Sequence, residues 1–169
     1  MAKGTAAQPG SWVLLCYRLP REPSTPRITV WRNLKRLGVG QLADGLVTLP
    51  ADARTREQLE WVSEQVIESG GEASIWLARP ATLEQERQVA TAMAAARAQE
   101  YESVTVEATQ AADLDERARQ RIASRLNAEL RRIERRDFFP PAEREQAQSA
   151  VNALADGAGR PITPAKTRR

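Results

Sequence analysis

The segment between residues 12 and 79 alternates strand-type and helix-type hydrophobic patterns, each ended by a proline or a glycine. Residues 12–19 form a nearly continuous apolar run, which predicts a central strand covered on both faces and closed by Pro20. Residues 27–37 then show helical spacing. Ser24-Thr25-Pro26 supplies a capping hydroxyl followed by proline at the first helical position, and Gly38 offers a left-handed stop. A strand followed by a short helix therefore opens the fold.

Two further strands and a second helix complete the pattern. The dipeptide Asp44-Gly45 separates two short apolar stretches and predicts a type I′ hairpin turn. Thr55 and Gln58 have capping-box spacing at the start of a helix that a glycine pair ends, and residues 72–79 alternate like a strand. The order βαββαβ predicts an α+β fold of the ferredoxin-like kind, with two helices on one face of a four-stranded antiparallel sheet.

Three helical patterns follow this segment. They are an alanine-rich helix near 83–100, an Arg-rich helix that Asp113 and Glu116 cap and that ends near residue 136, and an amphipathic helix over 142–155. The sequence thus predicts a ferredoxin-like domain with a C-terminal helical extension.

The predicted domain organisation has four parts. They are a flexible tail over 1–10, the ferredoxin-like domain over 11–80, a helical extension packed on it over 81–156, and a flexible basic tail over 157–169. Neither a secretion signal nor a stretch of about 18 apolar residues is present, so we expect a cytoplasmic protein without a membrane partner.

The composition leaves few residues for catalysis. The chain has no histidine and one cysteine, Cys16, which lies in the apolar first strand and is interpreted as an inert small hydrophobe. A metal nuclease needs acidic ligands near the end of that strand, where the sequence has Arg18 instead. We therefore predict no catalytic residue, no metal ligand and no cofactor, and not an enzyme.

Arginines are concentrated on one predicted helix. Eight of them lie between Glu116 and Arg136 against three glutamates, whereas the whole chain has a formal charge of only +3. An apolar stripe of Ile122, Leu126, Leu130 and Ile133 occupies the opposite arc of that helix. This Arg-rich face has two interpretations. It is either an ordinary solvated helix surface or an electrostatic contact with nucleic acid.

The candidate DNA-binding residues form two groups. One lies on the first helix, opposite its apolar side, and the other on the Arg-rich helix; together they are Arg32, Lys35, Arg36, Arg117, Arg121, Arg125, Arg131, Arg132, Arg135 and Arg136.

The tryptophans offer a separate possibility of base stacking. Trp31, Trp61 and Trp76 fall on the apolar sides of their predicted elements, so they are interpreted as core residues, whereas Trp12 is left open.

Three segments, LLCYRLPREPSTPRITVWRNLKRLGVGQLADGLVTLPAD, GGEASIWLARPAT and ELRRIERRDFFPP, resemble the N-terminal domain of the chromate-resistance regulator ChrB. The first is also distantly similar to the middle domain of phenylacetate-type repressors, which is ferredoxin-like. The resemblance implies a chromate-responsive transcriptional regulator that contacts promoter DNA. Members of the family often carry a further C-terminal domain, so a separate domain of that type is a candidate partner.

Oxyanion binding is a further expectation that the resemblance raises. Arg18, Arg21 and Arg27, near the first strand-helix junction, are the candidate donors, because guanidinium groups and helix N-termini suit oxyanions. The alternative is that they are ordinary surface residues. Two other functions also stay open: a dimerisation or scaffold module that does not bind DNA and uses a sheet edge or the FFPP segment, and an oxyanion-handling enzyme.

Overall fold

The computed structural model describes residues 10–157. The predicted tails lie almost wholly outside these residues. The elements are β1 (Trp12–Arg18), α1 (Thr25–Leu37), β2 (Gly40–Ala43), β3 (Leu46–Pro50), α2 (Ala53–Glu68), β4 (Glu72–Ala78), α3 (Leu83–Gln110), α4 (Glu116–Glu134) and α5 (Glu143–Asp156). The predicted α+β class is confirmed, and the first six elements follow the predicted βαββαβ order.

The four strands form one antiparallel sheet in the order β2-β3-β1-β4. β1 is central: Leu15 lies opposite Val47 of β3 and Ile75 of β4. Because residues directly opposite each other in an antiparallel pair share a face, these side chains line one side of the sheet. β1 is therefore the strand that organises the core.

The chain forms two units, and the first comprises residues 10–94 together with 136–139. Its core is built from β1, β3, α1 and α2, with Leu15, Val30, Leu49 and Leu59 fully buried. Side chains from the start of α3 and from the Phe138-Phe139 pair pack against the same cluster. The first unit thus combines the βαββαβ segment with residues from much later in the sequence.

The second unit comprises residues 95–135 and 140–157. Its core lies between the later part of α3, α4 and α5, where Tyr101, Leu126, Ile133 and Val151 are fully buried. The continuous helix α3 contributes residues to both units. It extends ten residues beyond the predicted end near residue 100.

Two predicted helix caps were wrong, and a third lies at the cap position without making the hydrogen bond. Ser24 precedes α1 but its hydroxyl makes no capping hydrogen bond. The cap of α2 is Asp52, whose carboxylate accepts from the Thr55 backbone N–H at 2.7 Å while the Thr55 hydroxyl accepts from the Asp52 N–H at 3.0 Å. Asp115, not Asp113, caps α4. For α2 and α4 an aspartate two or three residues from the predicted cap accepts the hydrogen bond, and the backbone geometry selects it.

The predicted type I′ turn is also wrong. That turn needs a positive φ at both central residues. Gly45 has a φ of 71°, but no non-glycine residue in the described range has a positive φ, so Asp44 does not. A register shift between Gln41 and Ala43 accommodates the different turn.

The prediction that β1 is covered on both faces holds for only part of the strand. Trp12 and Val13 are buried, but Cys16 is exposed, and so are Ser74 and Trp76, its neighbours on β4. Cys16 is therefore not the buried residue that the sequence suggested. The sheet face that carries Cys16 is covered near Trp12, where Phe139 packs, and near Thr48 and Gly40, where the start of α3 packs, but not at Cys16 itself.

Candidate nucleic-acid interface and anion cavity

Helix α4 carries the main basic surface and is anchored by its apolar stripe. Its first turn is capped by the Asp115 carboxylate, which accepts from the Ala118 backbone N–H at 3.0 Å. Leu126, Leu130 and Ile133 are buried, and Ile122 is half-buried. The stripe therefore packs as predicted, which fixes the opposite face toward solvent.

The predicted basic residues of α4 lie on that opposite face. Those classed as exposed are Arg117, Arg121, Arg125, Arg131, Arg132 and, at the helix end, Arg135. Arg136, just after the helix, is half-buried. Arg119 belongs to the same helix but is half-buried, and its guanidinium lies close to Gly157, so its environment is structural.

Some of these arginines are already neutralised. Arg125 forms an ion pair with Glu107 of α3, and Arg132 forms one with Glu129 at 2.7 Å. Within residues 10–157, no ion pair involves Arg117, Arg121 or Arg131. We call these three residues the open arginines. At about 100° per residue they fall within an arc of roughly 80° and span roughly 21 Å of helix.

Helix α1 carries a second basic surface. Val30 and Leu34 are buried, whereas Arg32, Lys35 and Arg36 are exposed on the other side. Lys35 and Arg36 lie in the last turn, where cations interact favourably with the helix dipole. The Lys35 ammonium also lies 5.4 Å from the centroid of the Trp31 ring. Part of this positive charge therefore stabilises α1 itself.

The three candidate oxyanion donors do not share one site. Arg18 and Arg27 line a cavity of about 810 Å³, together with Arg32 and the Trp31 side chain. Arg21 instead lines a separate cavity of about 540 Å³, where Arg18 is the second cation. We call the larger one the Trp31 cavity.

The Trp31 cavity also contains Tyr17 and Asp44. Burial raises the pKa of the Tyr17 hydroxyl above its ordinary value, and the nearby Asp44 carboxylate adds to this effect. Tyr17 therefore keeps its proton at neutral pH and can donate a hydrogen bond to a ligand.

The tryptophans were the main error of the sequence interpretation. Trp31, Trp61 and Trp76 are 55%, 73% and 62% exposed, whereas Trp12, which had been left open, is 4% exposed. Trp12 is buried because its ring stacks on Phe139 and its indole N–H donates to Glu86 at 3.0 Å. No periodicity signal in the sequence distinguishes the exposed rings from the buried one.

Among residues 10–157, no group of three or more cysteine or carboxylate side chains is arranged to hold a metal ion. No helix within these residues is long and apolar enough to cross a membrane.

Fold and surface together define an α+β protein with helical elements that expose arginines. The family model described as "Protein ChrB, N-terminal" matches residues 27–121, more than half of the chain. The chain belongs to this family, which confirms the resemblance found in the sequence.

One curated relative is Protein ChrB of Cupriavidus metallidurans. It is 29% identical over 134 residues, which cover 77% of this chain and 41% of that protein. The chain therefore spans less than half the length of this relative. No solved structure matches the chain. The assignment to the ferredoxin-like fold accordingly stays a prediction.

Proposed function

We propose that this chain is a DNA-binding transcriptional regulator associated with chromate resistance, and that its open arginines contact the phosphate backbone. The observation that carries the proposal is the arrangement of Arg117, Arg121 and Arg131 on the solvent face of α4, without a carboxylate partner in the described range. Phosphate contacts of this kind release counterions and supply most of the sequence-independent affinity for DNA.

The spacing of these cations supports a polyanionic partner. Arg117 and Arg121 are four residues apart on one helix, and like charges at that spacing repel each other by a few tenths of a kcal/mol. A row of phosphates removes that repulsion. The exposed cations of α1, Arg32, Lys35 and Arg36, supply a second and separate contact in this proposal.

Family membership supports the association with chromate resistance. The regulatory role and the DNA contact are inferred from the basic surfaces. In this proposal a separate domain of the ChrB C-terminal type is a candidate partner of the chain.

The test measures binding of the chain to a labelled duplex by fluorescence anisotropy at several salt concentrations. We expect a linear fall of log K with log salt, and a loss of affinity of at least about tenfold in the triple variant Arg117→Glu, Arg121→Glu, Arg131→Glu. The matched control is Arg56→Glu, Arg79→Glu, Arg87→Glu, which makes the same charge change at exposed arginines outside both basic surfaces. Equal losses in the two triple variants would show a general charge effect and reject the interface.

Self-association through β4 is a second candidate function. This strand lies at the edge of the described sheet and exposes two large apolar side chains, Trp76 and Leu77. The sequence also suggested the FFPP segment as an interface. Its Phe139 ring already stacks on Trp12 of the same chain. If β4 mediates assembly, light scattering gives a dimer mass without DNA, and Trp76→Lys lowers it to the monomer mass. A monomer at all concentrations rejects this function.

A further inference from the structure

The Trp31 cavity combines cationic, apolar and hydrogen-bonding walls in one place. Its cations are Arg18, Arg27 and Arg32, and Asp44 is the acidic residue in its lining, which leaves an excess of two positive charges. A volume of about 810 Å³ is within the range of small-molecule sites, roughly 300–1,000 Å³. A small dianion would balance this excess of positive charge.

The cavity also has an apolar wall, which a simple inorganic anion would leave uncovered. Trp31 is 55% exposed and Ile28 is 46% exposed, although both belong to a helix with a well-packed inner side. Leaving an indole in water forgoes the free energy of its burial, about 25 cal/mol per Å². A flat ring stacked on Trp31 recovers part of this energy.

The polar groups of the cavity add directional recognition. The Ser24 hydroxyl makes no helix-capping hydrogen bond, and Ser24, Gln41 and Tyr17 line the same space. Tyr17 stays protonated and is a donor, whereas Ser24 and Gln41 both donate and accept. Such groups match the hydroxyls and heteroatoms of a sugar or a base.

We propose that the Trp31 cavity binds a nucleoside monophosphate, with the base against the Trp31 indole and the phosphate among the guanidinium groups of Arg18, Arg27 and Arg32. A phosphate monoester carries a charge of about −1.5 to −2 at neutral pH, which matches the excess of two positive charges. Guanidinium groups bind phosphate oxygens in a bidentate geometry, and an indole stacks on any base. This inference does not depend on the DNA contact of α4, but it shares Arg32 with the DNA contact proposed for α1.

The experiment titrates the full chain with AMP, adenosine, ribose 5-phosphate and inorganic phosphate by isothermal calorimetry. We expect saturable binding of AMP, at least about tenfold tighter than that of each other probe, because only AMP engages both walls. Equal affinity for inorganic phosphate and AMP would reduce the cavity to an oxyanion site and overturn the proposal. So would the absence of saturable AMP binding.

Substitutions locate the site. Trp31→Ala should raise the dissociation constant for AMP at least about fivefold, since loss of one stacking contact has that effect. Trp61→Ala is the matched control, because Trp61 is an exposed helical tryptophan that does not line this cavity. Arg27→Gln should weaken AMP binding and Asp44→Asn should strengthen it, because the first removes a cation and the second removes the acidic group. Unchanged affinity in both Trp31→Ala and Arg27→Gln excludes this cavity.

Discussion

The indole of Trp12 stacks on the ring of Phe139, with centroids 5.9 Å apart and ring planes inclined by 25°. The two residues are 127 positions apart in the chain and belong to the same unit. Together with the start of α3, this pair covers the face of β1 near the beginning of the strand. The Phe139 ring is therefore a structural part of the βαββαβ unit.

Removal of the Phe139 ring should destabilise the protein. We expect Phe139→Ala to lower the free energy of unfolding by about 2 kcal/mol, below the usual range for a fully buried phenylalanine because this ring is only half-buried. Phe139→Leu should cost about 1 kcal/mol, mainly the aromatic pair. Urea denaturation measures both. A change within about 0.5 kcal/mol in Phe139→Ala would contradict the packing role.

Two glycines with the same backbone conformation differ in the space around them. Gly45 and Gly70 have φ angles of 71° and 78°, but a Cβ at Gly45 would lie 2.4 Å from the carbonyl oxygen of Tyr17, whereas nothing lies within 4 Å at Gly70. Gly70→Ala should therefore cost only the strain of a positive φ, roughly 1–2 kcal/mol. Gly45→Ala should cost clearly more. Thermal unfolding measures both variants. Equal losses of stability in Gly45→Ala and Gly70→Ala would show that the turn at Gly45 can shift to accept the added Cβ.

The cap of α2 should make stability depend on pH. The backbone N–H of Thr55 donates to the Asp52 carboxylate and is the main cause of a pKa below the ordinary value of 3.8. Because the folded-state pKa is the lower one, this contribution is present above about pH 4 and is lost as the pH falls through the folded-state value.

Two substitutions at Asp52 distinguish the capping hydrogen bond from the negative charge of the carboxylate. Asp52→Ala should lose about 1 kcal/mol at pH 7, and its difference from the parent should narrow near pH 3. Asp52→Asn keeps a capping oxygen that does not titrate, so it should retain most of the stability at both pH values. An Asp52→Ala effect that is the same at pH 7 and pH 3 would disprove the role of the ionised cap.

The ion pair between Arg125 and Glu107 should limit DNA binding. If the solvent face of α4 contacts phosphates, Glu107→Gln releases Arg125, and we expect affinity to rise severalfold with a salt slope steeper by up to about 0.9. Glu102→Gln is the control, because Glu102 is exposed on the same helix and no ion pair in the described range involves it. A similar rise of DNA affinity in Glu107→Gln and Glu102→Gln would show that the change of net charge, and not the release of Arg125, causes the effect.

The order of the first six elements could be predicted from the sequence because each has a local signal. Pro20, Gly38 and the Asp44-Gly45 pair interrupt hydrophobic runs of clear period, and such signals need no knowledge of tertiary contacts. The apolar stripe of α4 was predictable for the same reason. The cap positions were less predictable, because several side chains that can accept a hydrogen bond lie near the start of each helix.

The exposure of the tryptophans could not be predicted, because it depends on what packs against each face. A helical wheel places Trp31 beside Val30 and Leu34, but only the latter two contact the sheet-side core. Similarly, Trp76 lies on the sheet face opposite the Leu15 side, away from the end that Phe139 covers. The pairing of Arg125 with Glu107 also depends on how α3 and α4 pack.

Phe138 and Phe139 pack against the core of the first unit. This core is therefore complete only after the ribosome has synthesised residue 139. A nascent chain released from the ribosome only as far as β4 has all four strands but lacks the ring that covers Trp12. A fragment ending near residue 94 would keep the start of α3 and Glu86 but would lack the Phe139 ring, so one side of that indole would be left exposed. An expression design for this domain should therefore extend past residue 139.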